Sequence, residues 1–157
     1  MAAALGLDVI NGGEVFREMA AENGMGLAQF GAYAAAHPTV DIELDRRLAV
    51  RARQGAAIIE ARLAGWILHN ESLEGLRVWL RCDDKVRAER VASRESISVD
   101  QALADNAERE KVEHSRYFAL YGIDLRDLTI YHQQLDTGEL SVEAVVESIV
   151  DAYRSAA

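Results

Sequence analysis

Gly12-Gly13 is followed at Arg17 by a guanidinium on what reads as a helix, a combination suited to gripping an anion. Paired glycines let backbone amides approach a ligand closely, and an arginine near a helix start adds to the positive end of its dipole. A plain tight turn followed by a solvent-exposed arginine would use the same residues. Glu60 and Arg62 stand at the end of a short apolar run. A carboxylate there can hold a divalent cation through water, and an arginine two residues on can fork a phosphate; pairing of the two with each other is the competing reading. Farther along, Arg87, Arg90 and Arg94 share a helical face, and Arg109 and Arg116 share one on the next helix. Five guanidiniums on consecutive helices can close over a polyphosphate, whereas the interleaved Glu89, Glu95, Glu108, Glu110 and Glu113 can simply pair with them.

Composition narrows the setting in which these groups act. The 157 residues suffice for one domain with a real core, and 50% hydrophobic with 27% charged residues argues against disorder. A net charge of −9 speaks against a general nucleic-acid binder, which needs a basic face. Cys82 is the one cysteine, which excludes a disulfide framework and any multi-cysteine metal site. No apolar run approaches the roughly 18–20 residues of a membrane span, and the start lacks a basic signal-peptide region, so a cytoplasmic protein is expected. All but Lys85 and Lys111 of the 17 basic residues are arginine, which favours forks on carboxylate or phosphate, although high-GC codon usage pushes the same way. His37, His69, His114 and His132 lack metal-ligand spacing, and Trp66 and Trp79 read as core.

The elements that must position these groups are legible from periodicity. Strands are expected at 7–11, 56–60, 76–80 and 129–135, the second fully buried because AAIIE is unbroken apolar sequence up to Glu60. Helices are expected at 14–23, 27–36, 41–54, 83–95, from Ser98 towards Tyr121, and at 141–153, with 62–66 a loop or helix start. His37-Pro38 stops one helix, Asp83-Asp84 opens another, and Ser98 to Gln101 has a capping-box pattern. Strands alternating with helices give an α/β fold with a parallel sheet flanked by helices, whose ligands bind off the carboxyl ends of the strands. Those ends are Gly12-Gly13, 60–65 and the segment after Leu80.

At this point GEVFREMA (13–20), HPTVDIELDRR (37–47), EARLAGW (60–66), VRAERVASRE (86–95), AERE (107–110) and SRYFALYGID (115–124) together resemble the archaeal-type cytidylate kinases of the nucleoside monophosphate kinase group. The resemblance covers nearly the whole chain as a single domain, with acceptor-binding helices over about residues 13–55 and a lid over about 83–122. It implies transfer of the γ-phosphoryl group of ATP to CMP or dCMP with Mg²⁺. It further implies that Arg17 and Arg62 hold the acceptor phosphate and that Asp45 and Arg46 help with the cytosine ring; from their places at the strand ends, Gly13 joins the phosphate site and Glu60 holds the metal through water. Arg87, Arg90, Arg94, Arg109 and Arg116 would be the lid arginines that neutralise the transferring group. Phosphoryl transfer asks mainly for positioning and positive charge, which is why arginines stand out rather than a nucleophile.

Three departures accompany the resemblance. Ala61 replaces a usual glycine, and His132 and Gln134 change the last strand. Such kinases also open with a strand, a G-x-x-x-x-G-K-[ST] loop and a helix, yet Lys85 is followed by Val86 and Lys111 by Val112, neither after glycine. The P-loop kinase-like fold is thus expected to lack its first, central strand, the phosphate loop and most of the first helix. MAAALG reads as that helix's tail ending at a C-cap glycine, and Met1 is expected to be an internal methionine. The full-length form would be a monomeric enzyme, and the chain as it stands inactive. The alternatives are a non-catalytic nucleotide-binding paralogue and an interaction subunit that receives the missing strand from a partner or by dimerising.

Overall fold

The computed structural model describes residues 1–156. Its elements run α1 (Ala2–Leu5), β1 (Asp8–Asn11), α2 (Gly12–Glu22), α3 (Leu27–Ala36), α4 (Thr39–Arg53), β2 (Ala57–Glu60), α5 (Ala64–Asn70), β3 (Val78–Arg81), α6 (Asp84–Glu95), α7 (Val99–Tyr121), β4 (Gln133–Asp136) and α8 (Val142–Ala156). The expected alternation is present, with the short α1 at the front. Gly6 ends α1 in the left-handed region at φ 64°, the conformation a C-cap glycine adopts without strain.

Both strand pairs are parallel, but they form two separate ladders, β1–β2 and β3–β4, instead of one continuous sheet. The registers run from Asp8 opposite Ala57 to Asn11 opposite Glu60, and from Val78 opposite Gln133 to Arg81 opposite Asp136. The chain divides into two compact units, residues 1–77 with the chain from Ile149, and residues 78–148. The full burial expected of β2 is not found: Ala57, Ile58 and Ile59 are half-buried. With a single neighbour on the ladder, a strand keeps one edge open and its flanking faces partly wet, and Val9 and Leu80 are likewise about half exposed, at 49% and 51%.

In the first unit, α2, α3 and α4 bury Val15, Met19, Phe30, Ala34 and Leu48, with Phe16 tilted against Phe30 at 4.9 Å between ring centroids. The helix expected from Asp41 starts at Thr39 instead. His37 is extended at φ −130°, as a residue before proline must be, and Pro38 then supplies a helical φ of −54° at the N-cap. Across the helix pair, Arg47 forks Glu22 at 2.7 and 2.8 Å and also reaches Glu43, while Arg51 meets Glu18 at 2.6 Å.

In the second unit α6 and α7 close on Ala88, Ala92 and Ala102, with Val91, Ile97, Val99 and Leu103 around them. Alanines at the seam let the two helices approach closely. The Asp83 carboxylate accepts from the Lys85 and Val86 amides, and the Ser98 hydroxyl from the Gln101 amide, so both predicted starts are capped by side chains. The last strand begins at Gln133, four residues later than the alternation suggests. Asp127 accepts from both the amide and the hydroxyl of Thr129, and the Tyr131 amide bonds the Leu128 carbonyl; this local turn takes the backbone groups a ladder would need.

Two carboxylates give the fold a pH dependence. The Arg46 and Arg47 guanidiniums hold Glu43 down to about 2 from 4.5, and Arg126, through its side chain and its backbone amide, holds Asp124 down to about 2 from 3.8. A carboxylate depressed in the folded state stabilises it above the unfolded value and loses that contribution as pH falls through the folded value. The melting temperature is therefore expected to fall between about pH 4.5 and pH 2. The double variant E43Q/D124N, followed by circular dichroism, is expected to flatten that decline; an unchanged acid limb would contradict it.

Candidate functional site

β1 and β2 end side by side at Asn11 and Glu60, and α2 begins at the next residue. Gly12 and Gly13, expected to break the strand before the helix, are instead the first two helical residues. Asn11 makes this possible: its Oδ1 accepts from the Glu14 amide at 3.1 Å and so caps the helix directly off the strand. Gly12 is buried against β2, where an added Cβ would lie 3.1 Å from the Ala61 Cβ, so its size sets how closely α2 approaches the end of β2. Asn11 Nδ2 donates to Glu60 Oε2 at 3.1 Å, tying the carboxylate to the same helix start.

Arg17 folds back along α2 towards that start, as helical side chains do, and its Nη1 lies 3.6 Å from where a Gly13 Cβ would stand. Among the described residues Arg17 has no hydrogen-bond or ion-pair partner. Its neighbours on α4 differ: Arg46, Arg47, Arg51 and Arg53 each engage a glutamate. A guanidinium left without a counter-charge beside the positive end of a helix raises the local potential for an anion. Glu60 and Arg17 are thus brought to one strand end with Gly13. Arg62 stands exposed two residues beyond β2, just before α5. Asp45 is half-buried on α4, and Arg46 forks Glu43 through Nε at 2.7 Å and Nη2 at 2.9 Å.

The five arginines expected to neutralise the transferring group lie in the second unit. Arg87 reaches Asp84 at 3.1 Å and bridges from α6 to Glu110 of α7, and the Glu110 carboxylate pushes its pKa up. Arg109 donates to the buried Glu113 at 2.9 Å, and Arg94 to Glu95 at 2.6 Å. Arg116 lies half-buried, its guanidinium carbon 5.2 Å from the Tyr117 ring centroid. Arg90 donates to the Thr137 and Gly138 carbonyls at 2.6 and 3.3 Å and approaches Cys82 Sγ at 3.6 Å, joining α6 to the end of β4. Asn11 ends β1 as expected but also caps α2 and bonds Glu60, roles that its place at a strand end does not announce. Its signal was available: asparagine immediately before a helix with glutamate three residues on is an N-terminal pattern.

The α/β chain thus sets a glycine pair, a carboxylate and an arginine without a partner among the described residues at the ends of parallel strands, where folds of this class bind ligands. Comparison with known proteins makes the class specific. A profile of the cytidylate kinase-like family matches residues 39–139. The chain is 46% identical over 149 residues to a cytidylate kinase of Pyrococcus horikoshii, covering 93% of this chain and 76% of that one. It is 43% identical over 141 residues to a cytidylate kinase of Methanocaldococcus jannaschii, covering 89% and 79%. A solved structure of an uncharacterized protein from Eubacterium ventriosum shares the fold at TM-score 0.72 with 17% identity, over 98% of this chain and 87% of that one. The chain belongs to the cytidylate kinase-like family. Among the described residues, no helix is long and apolar enough to cross a membrane.

Proposed function

We propose that the end of the β1–β2 ladder receives the phosphate of a pyrimidine nucleoside monophosphate, CMP or dCMP, as acceptor for the γ-phosphoryl group of ATP. The observation that carries this reading is Arg17, a guanidinium with no partner among the described residues, folded over Gly13 at a helix start. A phosphate dianion would gain a charge-assisted bond there without displacing a carboxylate first. Arg62 adds a second fork from the β2 side. Asp45 and Arg46 are assigned to the cytosine ring, with Arg46 leaving Glu43 to do so. Arg87, Arg90, Arg94, Arg109 and Arg116 are assigned to the transferring group; Arg87 and Arg94 would exchange exposed glutamate partnerships worth on the order of 0–1 kcal/mol each, whereas Arg109 would have to leave the buried Glu113.

Mg²⁺ fits this reading in a limited way. Among the described residues no group of three or more His, Cys, Asp or Glu side chains could hold a metal. Glu60 offers one carboxylate whose Oε2 already takes the Asn11 amide. A Mg²⁺ ion would therefore be held through water by Glu60 and mainly by nucleotide phosphates, the coordination this ion prefers in phosphoryl-transfer sites, where it neutralises developing charge. A cytoplasmic setting and a monomeric state complete the proposal. The 157 residues contain no G-x-x-x-x-G-K-[ST] loop, which favours nucleotide binding without transfer as the property of this chain by itself.

Thermal shift with CMP, dCMP, UMP, AMP and ATP tests the assignment. Ligand at about 100 times its Kd stabilises a fold by about 2.7 kcal/mol, a shift of several degrees in a domain of this size. CMP or dCMP is expected to give the largest shift. Equal shifts with AMP, or none with any monophosphate, would overturn the proposal.

A further inference from the structure

We infer that Asn11 is a positioning residue, whose side-chain amide locks the start of α2 to the end of β2 so that Gly13 with Arg17 and Glu60 with Arg62 present one rigid frame to the ligand phosphate. The inference rests on the reading of this strand end as a phosphate site. Both functional atoms of the amide are used, and by different elements: Oδ1 takes the Glu14 amide at 3.1 Å, and Nδ2 gives to Glu60 Oε2 at 3.1 Å. The amide orientation is determined by its partners, because a flipped side chain would set oxygen against carboxylate and nitrogen against an N–H. Asn11 and Glu60 are the last residues in register on the ladder. Beyond them the backbones diverge into α2 and the approach to α5, so this bond is the side-chain tie at the point of divergence. Gly12, close-packed on Ala61, leaves α2 no side chain of its own to brace there.

An ordinary helix cap would need only Oδ1. Serine can accept from the Glu14 amide but is too short to reach Glu60 as well, and aspartate keeps the cap while setting a second carboxylate against Glu60. The test is CMP titration by calorimetry without added metal, with wild type, N11S, N11D, E60Q and N11D/E60Q, each checked for an unchanged melting profile. N11S is expected to weaken CMP binding about 5-fold and N11D about 20-fold. In the E60Q background, where the amide can donate to an introduced carboxylate, N11D is expected to cost less than about 3-fold. N11S binding like wild type, or N11D costing the same in both backgrounds, overturns the inference. Amide NMR of N11S separates this from a failure of the phosphate-site reading. If wild type binds no CMP, that reading fails, and resonance shifts at residues 60–62 then decide the tie: their presence upholds it, and shifts confined to residues 12–15 overturn it.

Discussion

Arg17→Ala is expected to weaken CMP binding by about 12- to 150-fold, the equivalent of about 1.5–3 kcal/mol for a charge-assisted bond to a phosphate. The size follows from the site. Arg17 is exposed, so removing it leaves no cavity, and it has no partner among the described residues, so removing it strands no carboxylate. The loss should thus fall on binding, with the melting temperature of the free protein nearly unchanged. Arg17→Lys keeps the charge but not the planar fork, and is expected to recover only part of the affinity. Titration calorimetry of the three proteins against CMP measures this. An affinity unchanged by Arg17→Ala would remove the residue from the phosphate site and take the main support of the proposed function with it.

The second large effect concerns transfer. Purified protein of these 157 residues, given ATP, Mg²⁺ and CMP, is expected to release no ADP above background in a coupled assay. In kinases that use a G-x-x-x-x-G-K-[ST] loop, its amides and lysine hold the donor phosphates in line with the acceptor, and its hydroxyl binds the metal. Removing one preorganised donor from such a site commonly costs about 10²–10³ in rate, and a chain without the whole loop lacks several at once. Binding of CMP with no turnover would fit an acceptor half that needs a donor half from elsewhere. Magnesium-dependent turnover by this chain would show that other residues, with the arginines of α6 and α7 first among them, can hold the donor phosphates. Since Arg87, Arg94 and Arg109 lie against Glu110, Glu95 and Glu113, that result would direct attention to what breaks those pairs.

Much of the architecture follows from local sequence. Periodicity, capping residues and Pro38 place the helices to within a few residues, because each of these signals acts over one or two turns. Gly6 and Ser98 are local in this sense, and the structure has each in its expected capping role; Asp83, expected as the first helical residue, stands one position earlier as the N-cap. The arginines that could meet phosphate are also visible in the sequence, since helical spacing alone puts Arg87, Arg90 and Arg94 on one face. Which of them are occupied is another matter. Arg87 is spoken for by a glutamate 23 residues away, Arg47 by one 25 residues away, and Arg90 by carbonyls 47 and 48 residues away.

Tertiary structure alone decided three things. It divided the strands into two ladders and left β2 half-buried, because burial depends on what lies beside a strand rather than on its own apolar run. It began β4 at Gln133, because an Asp127 turn competed for backbone groups that alternation had assigned to a strand. It also singled out Arg17 and Asn11, since freedom from a partner and a bridge between two strand ends are relations between residues far apart in sequence. Spacing along a chain fixes which groups can share a face; only the packed fold determines which charges are already satisfied and which remain to meet a ligand.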